Sequence, residues 1–560
     1  MSYQPIENYA IIGDLHTVAL VGMNGSIDFL SFPRFDSPTV FAALLDDRRG
    51  GRFQLAPAFA NGRQKQLYLP DTNVAVTRSL SEEGVAEVTD CMAIDGQAHP
   101  HALVRHVRTV RGDVRFRMRC EPRFDYGRAE HTVEVNEGEV LFRPTRDDLV
   151  ALRLRTPVPV RIENGAALAD FELRSGEGID FVLEEAKAGS PVGAASTLWC
   201  EEARERTSRF WRDWVGRSSY TGRWREVVNR SALTLKLLTS REFGSVVAAP
   251  TFGLPEFVGG PRNWDYRYTW IRDSSFTLYA LLRLGFTGEA RDFMRWIEAR
   301  CDELAPDGSL QIMYGIDGRH ELTEEDLEHF EGYRGSQPVR IGNAAYDQLQ
   351  LDIYGELMDS VYLYDKYGQP ISHDMWMNLR RLVDWVAANW KLPDEGIWEV
   401  RGGRKEFLFS RVMCWAALDR GVRLARKRAF PAPLARWEAV RDEIYQEIFT
   451  RFWDDKRRAF VQYEGAGTTD ASSLLMPLIK FISPTDPRWL STLQAIEADL
   501  VDDSHVYRYR HGHGAHDGLD GKEGTFCICS FWYAECLARS GDLQRARYAF
   551  EKMLGYANHL

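Results

Sequence analysis

The sequence predicts an N-terminal antiparallel β-sandwich followed by a toroid of helical hairpins. Three observations carry that reading. The chain has 560 residues, more than one core supports. Residues 1–197 break into short alternating runs (RGGRFQLAPA, GDVRFRMRCEPRFDYG, HTVEVNEGEVLFRP, LVALRLRTPVPVRI, DFELRSGEGIDFVLEEA) separated by Gly, Pro, Asn and Asp, as strands of a sandwich would be. From Leu198 onward apolar residues recur at helical spacing instead.

Taken in order, residues 1–197 form the sandwich and end in a loop rich in Ala, Gly and Ser. Residues 198–223 are a helical linker with a polar connector, and residues 224–560 are the helical unit. Helices are expected to begin near Trp224, Asp273, Gly288, Gly342, His373, Glu406, Leu434, Asp470, Asp486, Glu523 and Asp542. Their paired spacing suggests hairpins with functional loops at one end. Eleven is an odd count for a toroid of hairpins, so a last helix is expected to be missing after Leu560. The groove this leaves would call for a partner, which keeps a homo-oligomer open.

A net charge of −11 argues against nucleic acid or an acidic membrane and suits a small neutral ligand. The sequence starts without a basic-then-apolar segment and contains no apolar run long enough to span a bilayer, so a cytoplasmic protein is expected. Its eight cysteines are scattered, as buried reduced thiols are. His511, His513 and His516 sit among glycines at a spacing that fits no common metal site, and no phosphate or dinucleotide fingerprint occurs. Neither metal nor cofactor is expected.

The chain is organised around PRNWDYRYTWIRDSSF, Pro261 to Phe276. Trp264, Tyr266, Tyr268 and Trp270 alternate with polar residues and deliver Arg272 and Asp273 to a helix start. Aromatic faces with directed donors and acceptors suit a sugar ring. An aromatic strand entering a core helix is the other account, and these residues alone favour it. Two long loops follow, Met313–Asn343 ending near Arg340 and Gln348, and Leu392–Gly403. In the second, Glu399 follows Trp398; a carboxyl desolvated by an indole would stay protonated, as a general acid must. Glu395 and Glu406 compete for that role, and a surface glutamate is the plain alternative.

These motifs, with the opening IENYAIIGDLHTVALVGMNGSIDFLSFPRFDSPTVFAALLD, GYRGSQPVRIGNAAYDQLQLDIYGE and DGLDGKEGTFCICSFW, resemble glycoside hydrolase family 15 over essentially the whole chain. The resemblance implies a β-sandwich followed by an (α/α)6 barrel, here lacking its last helix. It implies an inverting hydrolase of a small α-glucoside, trehalose first and then α-1,4 or α-1,6 gluco-oligosaccharides. By the same resemblance Arg272 and Asp273 hold the non-reducing glucosyl unit, Tyr266 lies against the developing oxocarbenium ion and Trp270 walls the pocket. Glu399 beside Trp398 is the acid, and Arg340 and Gln348 belong to the substrate loop. Inversion requires a second carboxylate about 6.5–9.5 Å away. The family carries that base in a segment that would begin after Leu560. Glu523 is the visible substitute, though its motif aligns with a substrate-side loop. An α-glucoside phosphorylase and a non-catalytic sugar-binding protein remain as alternatives.

Overall fold

The computed structural model describes residues 3–94, 101–187, 192–305, 307–510, 517–521 and 523–560. Two eight-stranded antiparallel sheets form the N-terminal unit. One runs Tyr9–Gly13, Val18–Gly22, Ser26–Ser31, Arg52–Pro57, Val114–Glu121, Ala166–Leu173, Arg161–Glu163, with Thr39–Phe41 also paired to Ser26–Ser31. The other runs His131–Asn136, Glu139–Pro144, Leu152–Arg155, Gly178–Glu185, Leu103–Gly112, Gly84–Met92, Ala75–Leu80, Arg63–Tyr68. Alternation sets the faces. Val114, Phe116 and Met118 are buried while Arg115, Arg117 and Arg119 are exposed, and Met118 lies opposite Leu55 and Ala169 in the core.

The linker is one continuous helix, Thr197–Val215, with no polar break. Its first turns bury Cys200 and Ala203 against Cys91 and Val104 of the sandwich. Its last turns bury Trp211, Trp214 and Val215 with Leu237 and Leu281 of the helical unit. Trp214 stacks on Phe286 at 4.1 Å and donates Nε1–H to Glu289 at 2.7 Å. One helix thus belongs to two cores.

In the helical unit, Leu408–Arg428 is buried on nearly every side, whereas Leu434–Arg451 buries only Trp437, Ile444 and Ile448. That contrast marks an inner and an outer helix. Ile271–Arg283, Asp352–Tyr367 and Leu408–Arg428 pack in succession as inner elements, with Thr287–Asp302 and His373–Asn389 outside them. Arg225–Leu237, Pro487–Leu500, Cys527–Ser540 and Leu543–Leu554 complete the long helices, and Ala471–Leu478 supplies only short turns.

The helix expected from Gly342 begins at Asp352 instead. Asn343 caps a 3₁₀ turn, Ala344–Asp347, and the next backbone amides are taken by carboxylates. Leu349 N–H donates to Glu395 Oε2 at 2.9 Å and Leu351 N–H to Asp394 Oδ2 at 2.8 Å. Helical propagation starts only past these captured groups. The eight cysteines are free, and Cys527 is the exposed one. No helix among the described residues is long and apolar enough to cross a membrane.

Candidate active site

A cavity of about 470 Å³ opens where the inner helices begin. Arg272, Asp273 and Phe276 reach it from Ile271–Arg283, and Ile528 and Trp532 from Cys527–Ser540. Above them stand the hairpin Phe252–Pro255/Asn263–Asp265, the Glu399 loop and the segment around Arg508 and Glu523.

Alternation builds the aromatic wall. Trp264 and Tyr266 are partly exposed and line the cavity, while Asp265 and Arg267, which alternate with them, are fully buried and point the other way. Arg267 donates to Asp265 at 2.7 Å, to the Ser37 carbonyl at 2.8 Å, and to the Ser31 and Tyr126 hydroxyls at 3.2 Å each. Those last three residues belong to the N-terminal unit.

Glu399 sits at the crossing of two donors. Trp270 Nε1–H reaches its Oε1 at 2.7 Å, and Arg272 Nη1 reaches the same atom at 3.2 Å. The indole touching the carboxyl is therefore that of Trp270, from the aromatic strand, and not the neighbouring Trp398. Trp398 points elsewhere and donates Nε1–H to both oxygens of buried Asp470 at 3.0 Å. Glu399 has φ of +57°, a left-handed conformation that costs a non-glycine residue about 1 kcal/mol or more. The turn is closed by Glu399 N–H to the Gly396 carbonyl at 3.1 Å, and Gly396 is itself at φ +67° with Phe407 packed on it. Surrounding structure thus holds the Glu399 carboxyl in one place.

Arg272 is the electrostatic hub. It donates to the Ile397 carbonyl at 2.7 Å and meets Asp273 at 3.0 Å as well as Glu399. Burial opposes its charge, but Asp273, Glu399, Glu356 and Asp352 outweigh burial and hold the guanidinium well above its ordinary range. Beneath it, burial pushes Asp352 up to about 6, and burial with Asp352 pushes Glu356 well up. Asp394, at the base of the Glu399 loop, is pushed up to about 7 by burial and by Asp352.

Tyr266, Trp398, Arg272, Asp273, Glu399 and Glu523 all line the cavity, with Trp270 one hydrogen bond behind it. Arg340 and Gln348 do not line it. Arg340 packs on Trp264 at 5.1 Å and pairs with Asp326 at 3.1 Å, and Gln348 reaches the Glu399 carbonyl at 3.5 Å. The Glu523 side chain, 7% exposed, stands between Arg508, which it bonds closely, and Arg262 at 3.5 Å. Glu395 and Glu406 are tied to Arg404 and to Arg411 and Arg451. Sequence reasoning missed Glu256 and Arg508, which reach the cavity from opposite ends of the helical unit. Arg508 lies over Trp398 at 5.5 Å and Phe526 at 5.3 Å. His511, His513 and His516 lie outside the described residues; among those described, no group of His, Cys, Asp and Glu is placed to hold a metal ion.

The chain matches the family model for a trehalase-like N-terminal region over residues 1–211 and that for glycosyl hydrolases family 15 over residues 222–558. A trehalase of Mycolicibacterium smegmatis is 40% identical, with 100% of this chain and 86% of that one aligned. A trehalase of Thermoplasma acidophilum is 35% identical over 97% of this chain and 92% of that one. A bacterial glucoamylase crystallised with acarbose shares the fold, with a TM-score of 0.74 at 12% identity, covering 100% of this chain and 89% of that one. With the two sheets, the inner and outer helices and the carboxyl-bearing cavity in place, the chain belongs to glycosyl hydrolases family 15.

Proposed function

We propose that this hydrolase cleaves trehalose with inversion, and that Glu399 is its general acid. The observation that carries the reading is the Glu399 carboxyl, fixed by Trp270 and Arg272 in a cavity walled by aromatic rings. The relatives named trehalase supply the substrate. Arg272 and Asp273 hold one glucosyl unit by charge-assisted hydrogen bonds. Tyr266 faces the ring as positive charge develops on it. Glu399 then protonates the bridging oxygen as the anomeric C–O bond breaks, while water attacks the anomeric carbon from the opposite side and passes its proton to a second carboxylate or to bulk water. Glu523, occupied by Arg508 and Arg262, is a wall of the site in this scheme and not the water-activating base.

Water is favoured over phosphate as the nucleophile. Arg272, Arg401 and Arg508 at the cavity are each paired with a carboxylate, from Asp273, Glu324 and Glu523. A phosphorylase would need uncommitted positive charge there.

Glu399→Gln should lower turnover of trehalose about 10²–10⁴-fold while trehalose still binds. The loss should shrink on aryl α-glucosides, whose leaving groups need no proton. Equal losses on both substrates would remove Glu399 from the role. Proton NMR of the first-formed sugar should show β-glucose; α-glucose alone would mean retention.

A further inference from the structure

The cavity has two chemically different ends. Arg272, Asp273, Phe276 and Trp532 are carried by inner helices, at the deep end. Glu256 and Trp264 are carried by the hairpin above them. Tyr266 joins the two ends: its ring lies 6.0 Å from that of Trp270, which bonds Glu399, and it lines the cavity two residues after Trp264. An exo-acting site takes the terminal ring at its closed end and places the acid at the bond. The hairpin therefore lies beyond the bond, where the leaving sugar sits.

Both hairpin residues are built for a ligand. Trp264 is partly exposed to the cavity, and Arg340 and Arg401 pack on its indole at 5.1 and 4.5 Å. Glu324 joins the two guanidiniums, at 3.7 Å from Arg340 and 3.1 Å from Arg401, so the ring is held in place, with Arg401 beside it at the cavity. A braced aromatic ring loses little entropy when an apolar sugar face stacks on it. Glu256 has a side chain only 19% exposed, with Arg508 3.5 Å from Oε1. Its Oε2 is buried with no hydrogen-bond partner among the described residues, and Arg262 stands 3.9 Å away. A buried carboxylate oxygen without a partner is costly, and a sugar hydroxyl would satisfy it.

We infer that the hairpin Phe252–Asp265 is the specificity element of this site, with Trp264 the stacking platform and Glu256 the hydroxyl acceptor for the second sugar ring. The inference rests on the α-glucoside reading above and adds the residues that distinguish a disaccharide from glucose. Burial, with Glu523 close by, raises the Glu256 carboxyl despite Arg508, Arg262 and Trp264. A hydroxyl that donates to Glu256 would offset part of that cost.

Two variants of the full chain test it, Glu256→Gln, which is isosteric, and Trp264→Ala, with near-ultraviolet circular dichroism as the fold check. The readout, with both changes made in a Glu399→Gln background that binds trehalose without turning it over, is the dissociation constant of trehalose and of glucose by titration calorimetry. Trehalose should weaken about tenfold in each variant, while glucose shifts about twofold or less. If both sugars weaken together, the hairpin serves the first ring and the inference is wrong. If neither weakens in folded Glu256→Gln, the hairpin does not touch the sugar. Should Trp264→Ala misfold, Glu256→Gln alone decides. A Glu399→Gln parent that binds neither sugar overturns the α-glucoside reading itself. That result differs from parent binding in which the variants fail to discriminate.

Discussion

Replacing Asp394 by Asn should make the protein's stability less sensitive to pH between 5 and 7. Asp394 Oδ2 accepts from Leu351 N–H at 2.8 Å and Ser410 Oγ–H at 2.7 Å. Its Oδ1 is buried without a hydrogen-bond partner among the described residues. Burial and nearby Asp352 raise this carboxyl from 3.8 to about 7, against the Leu351 and Ser410 hydrogen bonds and Arg411. The folded state therefore binds the proton more tightly than the unfolded chain does. The stability this confers is complete below pH about 4 and drains away as pH rises through about 7. Over two pH units inside that window the loss is about 2–3 kcal/mol, at about 1.4 kcal/mol per unit. Asn keeps the acceptor for Leu351 and Ser410 and has no proton to lose. Urea unfolding followed by tryptophan fluorescence at pH 5, 6 and 7 should show the variant gaining on the wild type by that amount. A gap constant within about 0.5 kcal/mol across the three values would refute the buried, raised carboxyl.

Arg272→Ala should abolish sugar binding and also lower stability by about 1–3 kcal/mol, because Asp273 and Glu399 lose the guanidinium they pair with; thermal unfolding checks this, and an unchanged melting temperature would reduce Arg272 to a substrate contact. Asp470→Ala strands the Trp398 indole N–H together with the Gln462 and Ser472 donors. It should cost about 1–3 kcal/mol in denaturant unfolding and lower trehalose turnover, and intact turnover would show that Trp398 needs no anchor.

Short-range pattern carried much of the fold. The alternating residues of Val114–Glu121 specified their faces, and helical spacing from Leu434 specified a helix, though its outer position shows only in the burial of Leu434–Arg451. The delayed start of Asp352–Tyr367 was not legible, because Asp394 and Glu395 capture its preceding amides from more than forty residues away. The candidate site divides in the same way. Arg272, Asp273 and Glu399 stand in dense local motifs. Glu256 and Arg508 are single residues in unremarkable runs, and meet only when the ring of helices brings positions 252 apart in sequence together. The Trp270 contact to Glu399 was hidden by a nearer indole, since adjacency in sequence put Trp398 forward while strand geometry aimed Trp270.

The Arg267 contacts bear on how such proteins can be recombined. A chimera that joins this helical unit to the sandwich of a relative would keep every residue lining the cavity but change what some of them rest on. Arg267 needs the Ser37 carbonyl and the Ser31 and Tyr126 hydroxyls from the N-terminal unit, and it sits between Tyr266 and Tyr268. A donor sandwich with a shifted 31–37 loop would leave a fully buried cation short of acceptors directly behind the aromatic wall. The junction to preserve in a chimera is therefore this three-dimensional socket, which no cut in the linker helix separates from the cavity.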